Sequence, residues 1–193
     1  AGTALLGDVG ERLREAGAVT LSHRLESVRI LPRRGENDPD LYGDITQQAV
    51  SLAEVAAPAR RRAVCLAVTA KDAGQGAPSS WSAAIDQLAF GDGDSTRLVL
   101  VSSGNIREFG ADYSYIRSNL GQGVGLDDPA QASNAIVVGA FTQHTQLSSE
   151  YSGWSPVAPA GGLAPMSRTS AAWDLGNRSP WPLKPDIVSR AAT

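Results

Sequence analysis

The chain has 193 residues, enough for one sizeable core, and its hydrophobic fraction of 42% with a mean hydropathy of -0.16 is that of a soluble globular protein. A net charge of -3 speaks against a dedicated nucleic-acid binder, whose domain would be basic, and no apolar run reaches the length of a membrane span. The single cysteine, Cys65, excludes an internal disulfide and leaves the compartment open.

Residues 1–10 lack the basic start and long apolar stretch of a signal peptide. Over residues 3–16, Leu5, Leu6, Val9 and Leu13 fall at helical spacing, with Gly17 as the stop. Residues 19–21 and 28–31 read as strand pieces, and the turn-rich stretch 32–40 reads as a loop. Asp44 is predicted to cap a helix that runs to about Ala57, with Ile45, Ala49, Leu52 and Val55 as its apolar stripe. Pro58 stops it, and residues 63–69 form a strand in which Cys65 is expected to be a buried, inert thiol. A Gly-rich loop, 71–78, leads into a helix over 81–90 capped by Ser79 or Ser80. The turn 91–94 precedes a β-branched run, 98–101. Residues 106–128 read as a long loop holding Tyr113 and Tyr115, 134–140 as a buried strand, 142–166 as irregular, and 184–188 as a short strand. This alternation predicts an α/β fold, a mostly parallel sheet with helices on both faces, in one domain over 1–193.

The chemistry concentrates where the run 97–101 ends in Ser102-Ser103-Gly104-Asn105. Gly104 permits a sharp turn as the strand stops. Asn105 then stands at the carboxyl end of a parallel strand, where open α/β sheets place their ligands. An Asn amide held there can donate a hydrogen bond to a developing oxyanion. Alone, a Gly-Asn pair is more often an ordinary turn. Two further segments change its weight. Ala1-Gly2-Thr3 heads an apolar helix, and Arg168-Thr169-Ser170 is followed by Trp181-Pro182-Leu183-Lys184-Pro185-Asp186-Ile187-Val188.

With these three landmarks in this order, the chain resembles the central part of the catalytic domain of the subtilisin-like (S8) serine peptidases. That family opens a buried helix with His-Gly-Thr, and its His is the general base; Ala1 stands at that position here. A Lys-Pro-Asp-Ile/Val-Val strand is a late landmark that precedes the nucleophile's Gly-Thr-Ser. The run 128–141 is similar to the family's following strand, and Tyr151-Ser152-Gly153 falls where it has a Phe-Ser-Ser-type segment. The resemblance implies an incomplete subtilisin-like three-layer fold. It implies that Asn105 is the oxyanion donor and that Ser102, Ser103 and Gly104 wall the pocket for the residue before the scissile bond. Val68, Thr69 and Ala70 would occupy the strand end that binds substrate backbone, where the family usually reads Ser-Leu-Gly. No metal site and no cofactor are assigned from the sequence, which leaves calcium dependence open. The partners the resemblance implies are a peptide or protein substrate and the remaining parts of the chain's own catalytic domain; the charge and hydropathy above add the expectation of no nucleic acid and no membrane.

Acyl transfer by such an enzyme needs a nucleophile, a base and an oxyanion hole, with the triad in the chain order Asp, His, Ser. The chain supplies the oxyanion donor and none of the triad, so it is expected to be inactive alone. Its histidines, His23 and His144, read as ordinary surface or packing residues, and no Gly-x-Ser-x-Gly elbow occurs. A second reading is a non-catalytic α/β module that keeps a peptide groove. A nucleotide-binding domain is a third, but Gly121-Gln122-Gly123-Val124-Gly125 neither follows a strand nor opens a helix. Asp92-Gly93-Asp94 and residues 36–40 carry calcium-type oxygens without full ligand spacing and read as solvated turns.

Overall fold

Among the described residues, backbone hydrogen bonding joins four parallel strands in chain order: β1 (Ala63–Leu66), β2 (Leu98–Ser102), β3 (Ile136–Phe141) and β4 (Ile187–Arg190). The register pairs Leu66 with Val101, Val101 with Val137, and Val138 with Ile187. The computed structural model describes residues 2–7, 9–14, 17–71, 76–107, 114–120, 124–172 and 183–191. Ala1, Tyr113, Trp181, the stretch 121–123 and the middle of the Gly-rich loop lie outside these residues.

Two long helices, α3 (Tyr42–Ala56) and α4 (Ser80–Phe90), build the layer against one face of the sheet. The side chains of Leu66, Val99, Val101 and Val137 point into that layer and meet Val50, Trp81, Ile85 and Leu88. Strand geometry sends alternate residues to opposite faces. Cys65, Leu98, Leu100 and Ile136 therefore face the other way, and no described helix buries them. Cys65 is exposed, which corrects the expected buried thiol. The apolar run around it does not say which face of the sheet is covered.

The two helices approach closely because Gly43 has no side chain; a Cβ there would stand 3.0 Å from the Cβ of Ala84. Beside that contact the rings of Tyr42 and Trp81 stack at 4.6 Å with an interplanar angle of 16°. The buried Thr46 hydroxyl donates to the Tyr42 carbonyl at 2.7 Å and accepts from Trp81 Nε1 at 3.0 Å, so the indole N–H is not left orphaned. These contacts set the rotation of α3. Its buried face is Tyr42, Thr46, Ala49 and Val50, while Leu52 is 64% and Val55 82% exposed. The buried stripe is thus rotated from the predicted one. Asp44 lies in the first turn rather than at the cap, and a 3-10 turn, Pro39–Leu41, leads into the helix. α4 follows its sequence signal: the Ser79 hydroxyl accepts from Ser82 N–H at 2.9 Å, Ser79 N–H donates to the Ser82 hydroxyl at 2.8 Å, and Gly91 ends the helix at φ 55.

Other segments depart from expectation. Residues 3–16 are not one helix but α1 (Gly2–Leu6) and α2 (Val9–Arg14), broken at Gly7 with φ 71. Residues 19–21 and 28–31 join no ladder, and Leu21, Val28 and Leu31 stay largely exposed. The expected long loop contains a short helix, α5 (Tyr115–Asn119). Tyr115 is buried and its hydroxyl donates to Leu163 O at 2.6 Å, while Asn119 Nδ2 donates to Pro165 O at 2.7 Å. Tertiary acceptors, not local propensity, hold that helix.

Arg97, at the start of β2, links the layers. Its Nε and Nη2 reach the two carboxylate oxygens of Glu54 on α3 at 2.6 and 3.0 Å, and its Nη1 donates to Leu88 O on α4 at 3.1 Å. The hydrogen bonds from Arg97 hold the Glu54 carboxyl below its ordinary value of 4.5, against a smaller opposing effect of burial. A carboxyl depressed in the fold stabilises it above its unfolded value and loses that contribution as pH falls through the depressed value. With the Glu54 side chain 35% exposed, the pair is worth about 1 kcal/mol or less. Glu54→Gln should lower the urea midpoint at pH 7, and the gap between variant and parent should close as the pH is taken below 4.5. A constant gap from about pH 7 to about pH 3 would show that Glu54 is not the titrating group.

Candidate active site

The ladder of β2 runs one residue past the strand, where Ser103 N–H donates to Val138 O at 3.0 Å. The chain then turns at Gly104, with φ 90. A Cβ at Gly104 would lie 2.4 Å from Asp127 Oδ2 and 2.8 Å from Asp127 Cγ, so both conformation and space require glycine there. Ser103, Gly104 and Ile106 are buried and Asn105 is exposed. The turn thus presents one polar side chain at the carboxyl end of a central strand.

A segment from further along the chain holds the turn open. Asn105 pairs antiparallel with Ser167, and Ile106 N–H donates to Met166 O at 2.9 Å. The same segment pairs on its other side with the end of β3: Ala164 N–H donates to Ala140 O at 3.0 Å, Ala140 N–H to Ser167 Oγ at 2.9 Å, and Thr142 N–H to Gly162 O at 2.9 Å. Residues 162–167 therefore form a wedge where β2 and β3 diverge.

The end of β1 is tied to a second loop. Ala70 and Asp128 exchange both backbone hydrogen bonds at 2.8 Å, and the Ser79 hydroxyl donates to the Asp128 carboxylate. Val68, Thr69 and Ala70 are half-buried beyond the last β1–β2 pair, and the Asp128 pairing takes up the backbone of Ala70. Asp127, next in that loop, donates its N–H to Ser103 O at 3.3 Å. Arg168 spans the gap, with Nε 3.2 Å from Asp127 Oδ2 and Nη1 donating to Gly125 O at 2.7 Å. The fold thus brings two of the predicted groups, Ser102 to Asn105 and Val68 to Ala70, against one loop, 125–130. Ala1 lies outside the described residues.

Comparison with models of protein families matches the subtilase family, peptidase S8, across residues 1–193. The chain belongs to the subtilase family. Neither the curated proteins nor the solved structures yield a match. As a subtilase it falls among the serine-protease hydrolases, and its parallel sheet with a helical layer fits that class.

Several features of this candidate site carry no signal in the sequence. The segment that faces Asn105 is Met166–Ser167, while Tyr151 lies in an exposed 3-10 turn. Arg168-Thr169-Ser170 stands out as a landmark, but nothing in the sequence marks Asp127 as its partner. The Lys184-Pro185-Asp186 landmark proves to be a clamp for β4. Lys184 Nζ, on a side chain only 2% exposed, donates to Asp186 Oδ2 at 2.7 Å and to Ala135 O at 3.2 Å. Asp186 Oδ2 also accepts from Val137 N–H at 2.7 Å, and Asp186 N–H donates to Val137 O at 2.9 Å. Neither histidine completes a Ser–His–Asp arrangement among the described residues: His23 Nε2 stands 2.7 Å from Ala4 O and its Nδ1 3.3 Å from the adjacent Ser22 Oγ, and His144 is exposed. Among the described residues no three His, Cys, Asp or Glu side chains come together to hold a metal ion.

Two pairs of substitutions probe this architecture. Gly104→Ala should destabilise by about 3 kcal/mol, from backbone strain plus overpacking. Gly153→Ala has the same φ of 90 and nothing within 4 Å, so it should cost only the strain, about 1 kcal/mol. Equal losses in urea unfolding would mean that the Asp127 contact yields freely. Asp186→Ala strands the buried Lys184 ammonium, and because Asp186 is itself 37% exposed the expected loss is about 2 kcal/mol. Lys184→Met leaves the carboxylate on Val137 N–H and should cost less. The reverse order would refute the clamp.

Proposed function

We propose that this chain is the oxyanion-bearing part of a serine endopeptidase that cleaves peptide bonds through an acyl-enzyme. The observation that carries the reading is Asn105, exposed directly after a glycine-only turn at the carboxyl end of a central parallel strand. In this reaction a serine hydroxyl adds to the scissile carbonyl, its proton passes to a histidine, and the carbonyl oxygen becomes an oxyanion. The Asn105 amide N–H donates to that oxygen, which counts most where water is excluded. Ser102, Ser103 and Gly104 wall the pocket for the residue before the scissile bond. Val68 and Thr69, past the last ladder pair of β1, offer backbone for an extended substrate to add as a strand.

Residues 1–193 on their own do not hydrolyse peptides in this reading. Ala1 stands at the general-base position, His23 is committed to Ala4 O, and the chain contains no Gly-Thr-Ser.

A fluorophosphonate probe should leave this chain unlabelled and should label a catalytic domain in which a histidine precedes Gly2 and the remaining triad members are present. In that domain Asn105→Ala should lower kcat with little change in KM. The expected size is about 10²–10³, the loss known for removal of the oxyanion-hole asparagine of a subtilisin. Labelling of the isolated chain, or an unchanged kcat in Asn105→Ala, would overturn the reading.

A further inference from the structure

We infer that Asp127 and Arg168 are positioning residues that fix the Gly104–Asn105 turn. The contacts close a ring around Asn105. From Asn105 and Ile106 the path crosses the antiparallel pairing to Met166 and Ser167. It continues along the chain to Arg168, whose Nε stands 3.2 Å from Asp127 Oδ2. Asp127 N–H then donates to Ser103 O at 3.3 Å, and the chain returns through Gly104 to Asn105. Asp127 also fills the space that a Gly104 side chain would take. The ring is therefore packed as well as bonded.

The pair is well suited to hold a turn rather than to bind a ligand. Both side chains are largely buried, at 15% exposure for Arg168 and 11% for Asp127. Arg168 Nε is fully buried and lacks hydrogen-bond geometry to any acceptor among the described residues, so its link to Asp127 is electrostatic. The guanidinium is anchored independently by Nη1 on Gly125 O at 2.7 Å. The fork thus ties loop 125–130 to the wedge 162–167, and the turn lies between them. A buried charge and countercharge hold geometry at the expense of desolvation, and removing either leaves the other uncompensated. An oxyanion donor gains from being fixed before the charge develops. The catalytic meaning of the clamp rests on the proposed role of Asn105, but the clamp itself is testable without activity.

The test is native-state hydrogen exchange on this chain, comparing the Ile106 amide, which donates across the ring to Met166 O, with the Val99 amide in the core of β2. Arg168→Met keeps an apolar stem and removes the fork; Asp127→Asn keeps the shape and removes the charge. In each, Ile106 should exchange at least about ten-fold faster while Val99 changes much less. Thr46→Val, a core variant remote from the ring in the chain, should move both amides together. If Ile106 and Val99 move equally in Arg168→Met and Asp127→Asn, the pair is merely structural and the inference fails. Should either variant fold poorly, the other gives the same comparison. Selective loosening of Ile106 with an unchanged kcat for Arg168→Met in the complete catalytic domain would uphold the clamp and overturn its catalytic meaning, whereas Asn105→Ala decides the oxyanion role itself.

Discussion

The close approach of Gly104 to Asp127 is the constraint on which this site depends. Backbone at φ 90 with a carboxylate where a Cβ would stand admits only glycine. Because the turn is that tight, β2 stops pairing with β3 just after Ser103, and a gap opens between the two strand ends. The wedge 162–167 fills the gap and satisfies backbone groups on both sides. Asn105 is left as the polar side chain that the turn directs outward. A bulkier residue at Gly104 would push Asp127 away, and the loop that Asp127 belongs to also carries the Asp128 pairing with Ala70. One missing side chain therefore supports both halves of the candidate site.

The helical layer keeps the strands in place beneath that turn. The Tyr42–Trp81 stack and the Thr46 hydroxyl fix α3 on α4, and Arg97 carries the connection from both helices to the start of β2. At the other end of the sheet, Lys184 and Asp186 lock β4 to Val137 before the β3–β4 ladder begins. Buried polar groups occur where elements from distant parts of the chain meet, and most are satisfied there. The opposite face of the sheet carries Leu98, Leu100 and Ile136 with no described helix over them. A parallel sheet is ordinarily covered on both faces.

Much of this was legible in the sequence. The β-branched runs became β2 and β3, Ser79 capped α4, Gly91 ended it, and the alternation of strand and helix gave a parallel sheet. Ser102 to Asn105 could be placed at a strand end because an apolar run that stops abruptly in Ser-Ser-Gly-Asn carries its own boundary. These signals are local: a cap, a turn or a strand run is encoded within a few residues.

The remainder required the folded chain. Periodicity alone placed Leu52 and Val55 inside, but the stacking of Tyr42 on Trp81 and the partners of Thr46 rotated α3 so that they face out. Cys65 sits in an apolar run, yet exposure followed from which sheet face the helices cover. Tyr115 and Asn119 form a helix because carbonyls of Leu163 and Pro165 await them. The pairing of Asn105 with Ser167, and of Arg168 with Asp127, joins residues far apart in the chain. The sequence by itself determined where elements begin and end, because those choices are made by neighbours. Which faces are buried, and which residues hold Asn105, was decided by tertiary packing, because hydrogen bonding and close contact act through space and carry no mark in local order.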